Sequence, residues 1–321
     1  MPDNSSTQEL RGQVQAKRWL RGVLLALGVG FLLYVVYGSQ QELKQQIKSL
    51  DLVLFGAAIV TGVLGSFVVV ALNRLLFIRY SVRLKFSEAA RLYFYGQIAK
   101  YIPGKVWLII YQSMALGIKG SMTVVTLVNV EMMIVLLLTT SSVAGILIFS
   151  NKLLIFSILI FVLSIVFLYQ IHSKCLLRKI LEKITIYFPK VSRLLPDCIG
   201  AGQPLFAIWF YVSFLTLYLI SYWFFLSSFL ILEWQEFVLY CACLSIAWVV
   251  GVATLVFPGG IGIREFLFIV LASQFSEAPD VSVLGMIAVL SRLMIIGQEV
   301  LGVLLMWVFD LVCSSRSRIQ R

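Results

Sequence analysis

Long apolar runs recur along this chain and constrain its fold more than any other feature. The run from Phe237 to Phe257 contains no charged side chain and is long enough to cross a bilayer, which takes about 20 residues. Hydrophobic residues make up 60% of the chain, well above their share in soluble domains. The sequence therefore predicts an all-α, polytopic integral membrane helix bundle of about eight transmembrane helices. The predicted spans are 19–37, 51–72, 121–149, 153–170, 205–231, 237–257, 261–275 and 281–309.

Lysine and arginine are distributed unevenly between these spans. With eight crossings and both termini in the cytosol, 22 of the 26 cations lie in cytosolic segments, three lie outside and Arg292 lies within the last span. The positive-inside rule expects this asymmetry, which accounts for the net charge of +11 without a nucleic-acid partner. We therefore expect a polar, basic cytosolic segment at 1–18, a single membrane domain at 19–310 and a basic cytosolic tail at 311–321.

Residues 257–265 read Phe-Pro-Gly-Gly-Ile-Gly-Ile-Arg-Glu and are expected to interrupt helical structure. Pro258 removes a backbone donor, and Gly259 and Gly260 relax the backbone. In lipid, such backbone is tolerated only where protein buries it or where it lines a wet cavity. The amides freed at the start of the next helix suit an anion. An alternative stays open, in which Pro258 is the first-turn proline of a helix after an interfacial loop and Arg264 reaches water.

A weaker break of the same type lies at 101–107, which reads Tyr-Ile-Pro-Gly-Lys-Val-Trp. The segment before it, Ala89–Ile102, is largely apolar and aromatic, and Val106–Leu116 after it is apolar. At ~1.5 Å per residue the second piece reaches only ~17 Å, short of the ~30 Å hydrocarbon core. Two short pieces joined by Pro103-Gly104 predict a re-entrant hairpin that enters the membrane and returns. The alternative is an amphipathic interfacial helix followed by a buried one.

Arg292 is the most informative single side chain, because a charge inside a span is costly without a partner or water. Glu299 lies seven residues further on and so shares nearly the same helical face. Glu131 is placed similarly within the span 121–149. We expect Arg292 to face a polar cavity, neutralised by Glu131 or Glu299 when empty and by a lipid phosphate when loaded. A structural ion pair between helices is the alternative.

Lys105 and Arg264 each flank one break, and a cation beside freed amides suits a phosphate. Anchoring at the membrane interface is the alternative for either residue, and Glu265 could pair locally with Arg264. The predicted substrate-binding residues are Lys105, Arg264, Arg292, Gly104, Gly259 and Gly260. The predicted counter-charges or proton carriers are Glu131, Glu265 and Glu299.

The sequence contains no motif that we recognise as catalytic or metal-binding. Gly104-Lys105 is followed by Val106 and lacks the earlier glycine of an ATPase phosphate-binding loop. The single histidine, His172, stands alone in a basic segment, and the five cysteines form no Cys-x-x-Cys pair. We therefore expect no cofactor and no metal, and we favour a transporter over an enzyme.

The order of these motifs resembles the transmembrane domain of the lysylphosphatidylglycerol synthase and flippase-like family. That family has a Pro-Gly-Lys stretch after an amphipathic segment, a later Pro-Gly-Gly-x-Gly-x-x-Glu stretch and a last span bearing an arginine. Here 103–105, 258–265 and Arg292 match, and the likeness covers roughly 20–310. The resemblance implies an eight-helix domain with re-entrant elements. The sequence ends at Arg321 without the aminoacyltransferase domain of the full synthases, so we do not expect lysyl transfer.

The resemblance also implies a function. It is that of a flippase-like membrane protein that translocates an anionic phospholipid or polyprenyl-phosphate-linked lipid, supporting envelope lipid or glycan synthesis. The expected location is the bacterial inner membrane. Expected partners are the membrane, an anionic lipid or lipid-linked sugar, and either a second copy or envelope-synthesis enzymes. Two alternatives stay open: an intramembrane enzyme acting on a polyprenyl phosphate, and a non-transporting scaffold of an envelope synthase.

Overall fold

The computed structural model describes residues 50–99, 107–117, 122–150, 204–253, 262–275 and 281–319, with four single helical positions at 159, 162, 163 and 166. Within these residues the chain is helical and contains no strand, which confirms the all-α prediction for this part. The helices are α1 (Leu52–Arg79), α2 (Phe86–Ala99), α3 (Trp107–Leu116), α4 (Met122–Ser150), α5 (Pro204–Ser227), α6 (Trp234–Ala253), α7 (Ile263–Phe275) and α8 (Val281–Ile319).

Five helices of the described part are long and apolar enough to cross a membrane. They are α1, α4, α5, α6 and α8, which match the predicted spans at 51–72, 121–149, 205–231, 237–257 and 281–309. These helices indicate a multi-pass membrane protein. The predicted spans at 19–37 and 153–170 lie outside the described residues, apart from the four single positions. The predicted count of eight is therefore not confirmed.

Two of these helices extend further than their apolar runs. Helix α1 begins after Asp51, whose carboxylate accepts hydrogen bonds from the amides of Val53 and Leu54 at 2.8 and 3.1 Å, and it continues to Arg79. Helix α8 continues past Phe309 to Ile319, through most of the segment predicted as a tail. Neither extension contains the glycine or proline that usually ends a helix.

Helices α2 and α3 form an antiparallel pair. A methyl group placed on Gly96 would lie 2.6 Å from Leu108. Towards the other end of the pair, the Gln112 side chain donates to the carbonyl of Leu92 at 3.4 Å. The predicted pairing of the two short pieces is therefore present, while the Pro103-Gly104 connection itself lies outside the described residues.

The contacts between long helices show their relative directions. Helices α1 and α5 are antiparallel, because the Asp51 amide donates to the Ser228 carbonyl at 2.7 Å and the Ser221 hydroxyl donates to the Ala58 carbonyl at 2.8 Å. Helices α1 and α8 are parallel, since Gly297 lies against Ile59 and Gln298 lies against Gly62. These directions are those expected from the predicted order of crossings.

The buried apolar side chains form two clusters. One is built mainly from α1, α2 and α4, with contributions from α5 and α8, and includes Phe77, Phe94 and Val128. The other is built mainly from α5 to α8, with contributions from α1 and α4, and includes Phe225 and Phe268. On the outer side of the bundle, α8 exposes a continuous apolar stripe of Leu293, Ile296, Val300 and Leu304. An exposed apolar surface of this extent suits contact with lipid.

Candidate functional site

A cavity of about 530 Å³ lies among the described helices, and all eight of them contribute to its wall. The volume is in the range of small-molecule binding sites. Most of the lining is apolar, but Arg264 of α7 and Arg292 of α8 are part of it, as is Glu299 of α8. The cavity therefore combines an apolar surface with cationic groups, which is the combination an anionic amphiphile needs.

The carboxylate that neutralises Arg292 belongs to Glu265. Arg292 Nε donates to Glu265 Oε1, while Glu265 Oε2 accepts the backbone N–H of Gly262 at 2.7 Å. Glu265 is 3% exposed and Arg292 is 20% exposed. Gly262 has a φ of 87°, a conformation that favours glycine. Glu265 therefore caps the start of α7 and holds Arg292 at the same time.

Arg264 lies across α6. Its guanidinium is 5.7 Å from the centre of the Trp248 ring, a cation–π arrangement. The side chain passes over Gly251 so closely that a methyl group there would overlap it. Its Nε is buried and has no hydrogen-bond partner within the described part of the chain. The charges of Arg292, Glu265 and Glu299 all act on it. Arg264 thus adds a positive charge to the cavity wall.

Glu131 belongs to a different pair from the one we expected. Its Oε1 lies 2.5 Å from Arg79 Nη1, and its Oε2 accepts a hydrogen bond from the Tyr80 hydroxyl at 3.1 Å. Both charged side chains are buried, and Glu131 is not among the residues that line the cavity. The structure therefore places Glu131 in an ion pair that joins α1 to α4.

The remaining predicted site residues, Gly104, Lys105, Gly259 and Gly260, lie outside the described residues. The helices that flank them do reach the cavity. Around the first break, Gln97 near the end of α2 and Leu108 at the start of α3 are lining residues. Around the second, Gly251 and Val252 of α6 and Arg264 of α7 are lining residues. Both breaks are thus flanked on each side by residues of one cavity.

The structure adds cavity residues that the sequence reasoning did not select. Trp248 and Gly251 are three positions apart in α6 and so share a helical face. On α8, the Gln298 amide donates to the Ser221 hydroxyl of α5 at 3.4 Å. Gln298 and Asn129 could have been predicted from the sequence, because an uncharged amide within an apolar run is costly in lipid and indicates a buried polar contact. No comparable signal distinguishes Trp248 from the other tryptophans.

Helix α2 is held against α8 by a polar cluster. Arg91 Nε is 2.6 Å from Asp310 Oδ1, and the Tyr95 hydroxyl donates to Asp310 Oδ2 at 3.3 Å. On the next turn, the Phe94 ring lies against Gly302, where a methyl group would overlap it. These contacts position the cavity-lining face of α2.

The described residues contain no group of three His, Cys, Asp or Glu side chains that could hold a metal ion. Comparisons with protein-family models, with curated proteins and with solved structures find no match in any of the three. The family resemblance based on the motifs stays a prediction.

Proposed function

We propose that this protein is a flippase-like membrane protein, which translocates an anionic phospholipid or polyprenyl-phosphate-linked lipid between leaflets in support of envelope lipid or glycan synthesis. The observation that carries the proposal is the cavity of about 530 Å³ with Arg264 and Arg292 in a largely apolar wall. Arginine is well suited to phosphate oxygens, because its planar guanidinium can donate two parallel hydrogen bonds. The apolar wall suits the part of the lipid chains that lies nearest to the phosphate.

The Glu265–Arg292 pair supports a mechanism of counter-ion exchange. In the structure Arg292 donates a hydrogen bond to the Glu265 carboxylate. An entering phosphate first meets Arg264, which lines the cavity. It then competes with Glu265 for Arg292. Because Glu265 also caps the start of α7, the exchange changes the contacts of the helix that follows the Pro-Gly-Gly break, and this helix is the element we propose to move.

The two breaks complete the proposed site. In this proposal the α2–α3 and α6–α7 connections are re-entrant elements within an eight-span bundle, and both termini are in the cytosol of a bacterial cell. Lys105 and the backbone amides near Gly104, Gly259 and Gly260 then add donors for the phosphate. The support for this is that residues on both sides of each break line the cavity.

Reconstitution into liposomes that contain fluorescent phosphatidylglycerol tests the proposal. A membrane-impermeant reagent destroys the fluorophores of the outer leaflet, and the loss of the remaining signal reports exchange. We expect exchange with the full chain and not with protein-free liposomes. Equal signals in the two preparations contradict the proposal. With a polyprenyl phosphate in the liposomes, a chemically altered lipid would indicate an enzyme instead. If the liposomes showed neither leaflet exchange nor an altered lipid, a scaffold would be favoured.

A further inference from the structure

Thr126 and Asn129 lie one turn apart on α4, and both line the cavity. Their hydrogen-bond donors are already used. The Thr126 hydroxyl donates to the Met122 carbonyl at 2.7 Å. The Asn129 amide nitrogen donates to the Val125 carbonyl at 2.8 Å and to Gln112 Oε1 at 2.7 Å, and a side-chain amide has only two N–H groups. What these two residues have left is the capacity to accept hydrogen bonds.

The orientation of the Asn129 amide follows from a backbone carbonyl two helices away. The Leu92 carbonyl can only accept, so the Gln112 amide nitrogen faces it and Gln112 Oε1 faces Asn129. Asn129 must then present its nitrogen to Gln112. Its Oδ1 is buried and has no hydrogen-bond partner in the part of the chain that the structure describes. Buried polar atoms in proteins nearly always have a partner, so Oδ1 calls for a donor.

The described residues that line this part of the cavity are also uncharged. Among the described lining residues, those on α2, α3 and α4 include no Lys, Arg, Asp or Glu, whereas Arg264, Arg292 and Glu299 come from α7 and α8. An ammonium group placed beside Asn129 would lack a counter-charge there, which is costly in a low-dielectric site. A hydroxyl group donates a hydrogen bond without that cost. Gln97 of α2 adds one more uncharged amide to the same wall.

We propose that Gln97, Thr126 and Asn129 form a second subsite, which binds hydroxyl groups. The ligand is then an anionic lipid whose phosphate carries an uncharged, hydroxyl-rich headgroup, such as a polyol or a sugar. The assignment of the phosphate to the arginines rests on the proposed function. The assignment of the hydroxyl-rich group rests on the hydrogen bonds around Asn129 and Thr126.

Calorimetric titration of the purified full chain in detergent tests the subsite with three dioctanoyl lipids. Phosphatidic acid carries a bare phosphate, phosphatidylinositol adds a polyol, and phosphatidylethanolamine adds an ammonium group. We expect phosphatidylinositol to bind at least about tenfold more tightly than either of the others, because it forms several additional hydrogen bonds.

Two variants connect this preference to the subsite. Thr126→Val and Gln97→Leu should each weaken binding of phosphatidylinositol about fivefold and leave binding of phosphatidic acid unchanged. Thr139→Val is the matched control, because Thr139 makes the same bond to the carbonyl four residues earlier but does not line the cavity. It should alter neither affinity. The midpoint of thermal unfolding is measured for each variant, and either of the two subsite variants suffices if the other does not fold.

Equal affinities for phosphatidic acid and phosphatidylinositol would overturn the subsite, as would tightest binding of phosphatidylethanolamine. A uniform loss for all three lipids in folded Thr126→Val or Gln97→Leu would also overturn it, because it would indicate a purely structural role. A polyol preference without leaflet exchange would remove the proposed function and keep the subsite. Leaflet exchange without a preference for phosphatidylinositol would keep the proposed function and remove the subsite. If the full chain bound none of the lipids, both would fail.

Discussion

Glu265 and Arg292 are joined by a hydrogen bond across two helices, although 27 residues separate them in the sequence. The second oxygen of the same carboxylate accepts the Gly262 amide at 2.7 Å. One buried side chain therefore connects the start of α7 to a cavity arginine. If a phosphate replaces the carboxylate at Arg292, the contacts at the start of α7 change with it.

Removal of the charge from Glu265 should strengthen anion binding. Gln at this position keeps an oxygen for the Gly262 amide but no longer competes as an anion for Arg292. We expect Glu265→Gln to bind dioctanoyl phosphatidic acid about tenfold more tightly, equivalent to about 1.4 kcal/mol, and to exchange lipid more slowly because release is slower. Calorimetry and the liposome assay measure the two effects.

Glu236→Gln is the matched control for that substitution. Glu236 occupies the same third position of its helix, α6, and accepts the Glu233 amide at 3.4 Å, but it does not line the cavity. The affinity of the Glu236→Gln variant for phosphatidic acid should equal that of the wild type. If Glu265→Gln also bound with wild-type affinity, Glu265 would not be a competitor for the phosphate site.

Gly251 should be required for the position of Arg264. A methyl group at Gly251 would overlap the Arg264 side chain, so Gly251→Ala should displace the guanidinium from Trp248 and weaken binding of phosphatidic acid by about tenfold, the loss of one or two charged hydrogen bonds. Gly56→Ala is the control, because nothing lies within 4 Å of a methyl group there. Equal affinities in the two variants would show that Arg264 does not bind the anion.

The Arg79–Glu131 pair should contribute to stability and not to lipid binding. Both side chains are buried, and removal of one partner of a buried pair costs about 3–5 kcal/mol. We expect Glu131→Gln to lower the free energy of unfolding in detergent by about that amount. The double variant Arg79→Leu and Glu131→Leu should regain most of that loss relative to the wild type, because neither charge is left unpaired. A stable Glu131→Gln protein with altered lipid exchange would instead support the role that we first predicted for Glu131.

The proposed re-entrant hairpin makes a prediction about sidedness. Lys85 precedes α2, and Met114 near the end of α3 is 77% exposed. In a background where Cys175, Cys198 and Cys313 are serine, Lys85→Cys and Met114→Cys should both react with an impermeant maleimide from the cytosolic side only. Glu233→Cys, between α5 and α6, should react only from the opposite side. Reaction of Lys85→Cys and Met114→Cys from opposite sides would mean that the segment crosses the membrane.

The long spans could be predicted from the sequence because uninterrupted apolar runs determine them. The predicted span 51–72 stops short of the end of α1, because the polar residues Asn73 and Arg74 follow the apolar run. In the structure the Asn73 amide donates to Met132 Sδ at 3.4 Å and Arg74 Nε donates to the Leu84 carbonyl at 2.9 Å. Both side chains donate to protein groups instead of water, and the helix continues past them to Arg79.

The candidate site could be predicted only in part. Arg292 was predicted because a charge inside a span is costly, and Arg264 because it follows the Pro-Gly-Gly break; both line the cavity. The partner of Arg292 could not be found in this way, because the contact with Glu265 depends on how α7 packs against α8. The same limit applies to Gly251, whose importance comes from the path of a side chain on another helix.

The rate of leaflet exchange in Arg292 variants tests the central claim most directly. Arg292→Ala and Arg292→Lys are compared with the wild type in liposomes that contain fluorescent phosphatidylglycerol, after each has shown a wild-type midpoint of unfolding. We predict that Arg292→Ala lowers the rate by about tenfold or more, and that Arg292→Lys retains part of it because it keeps the charge without the paired donors. Wild-type rates in both variants would contradict the account and remove Arg292 from the mechanism.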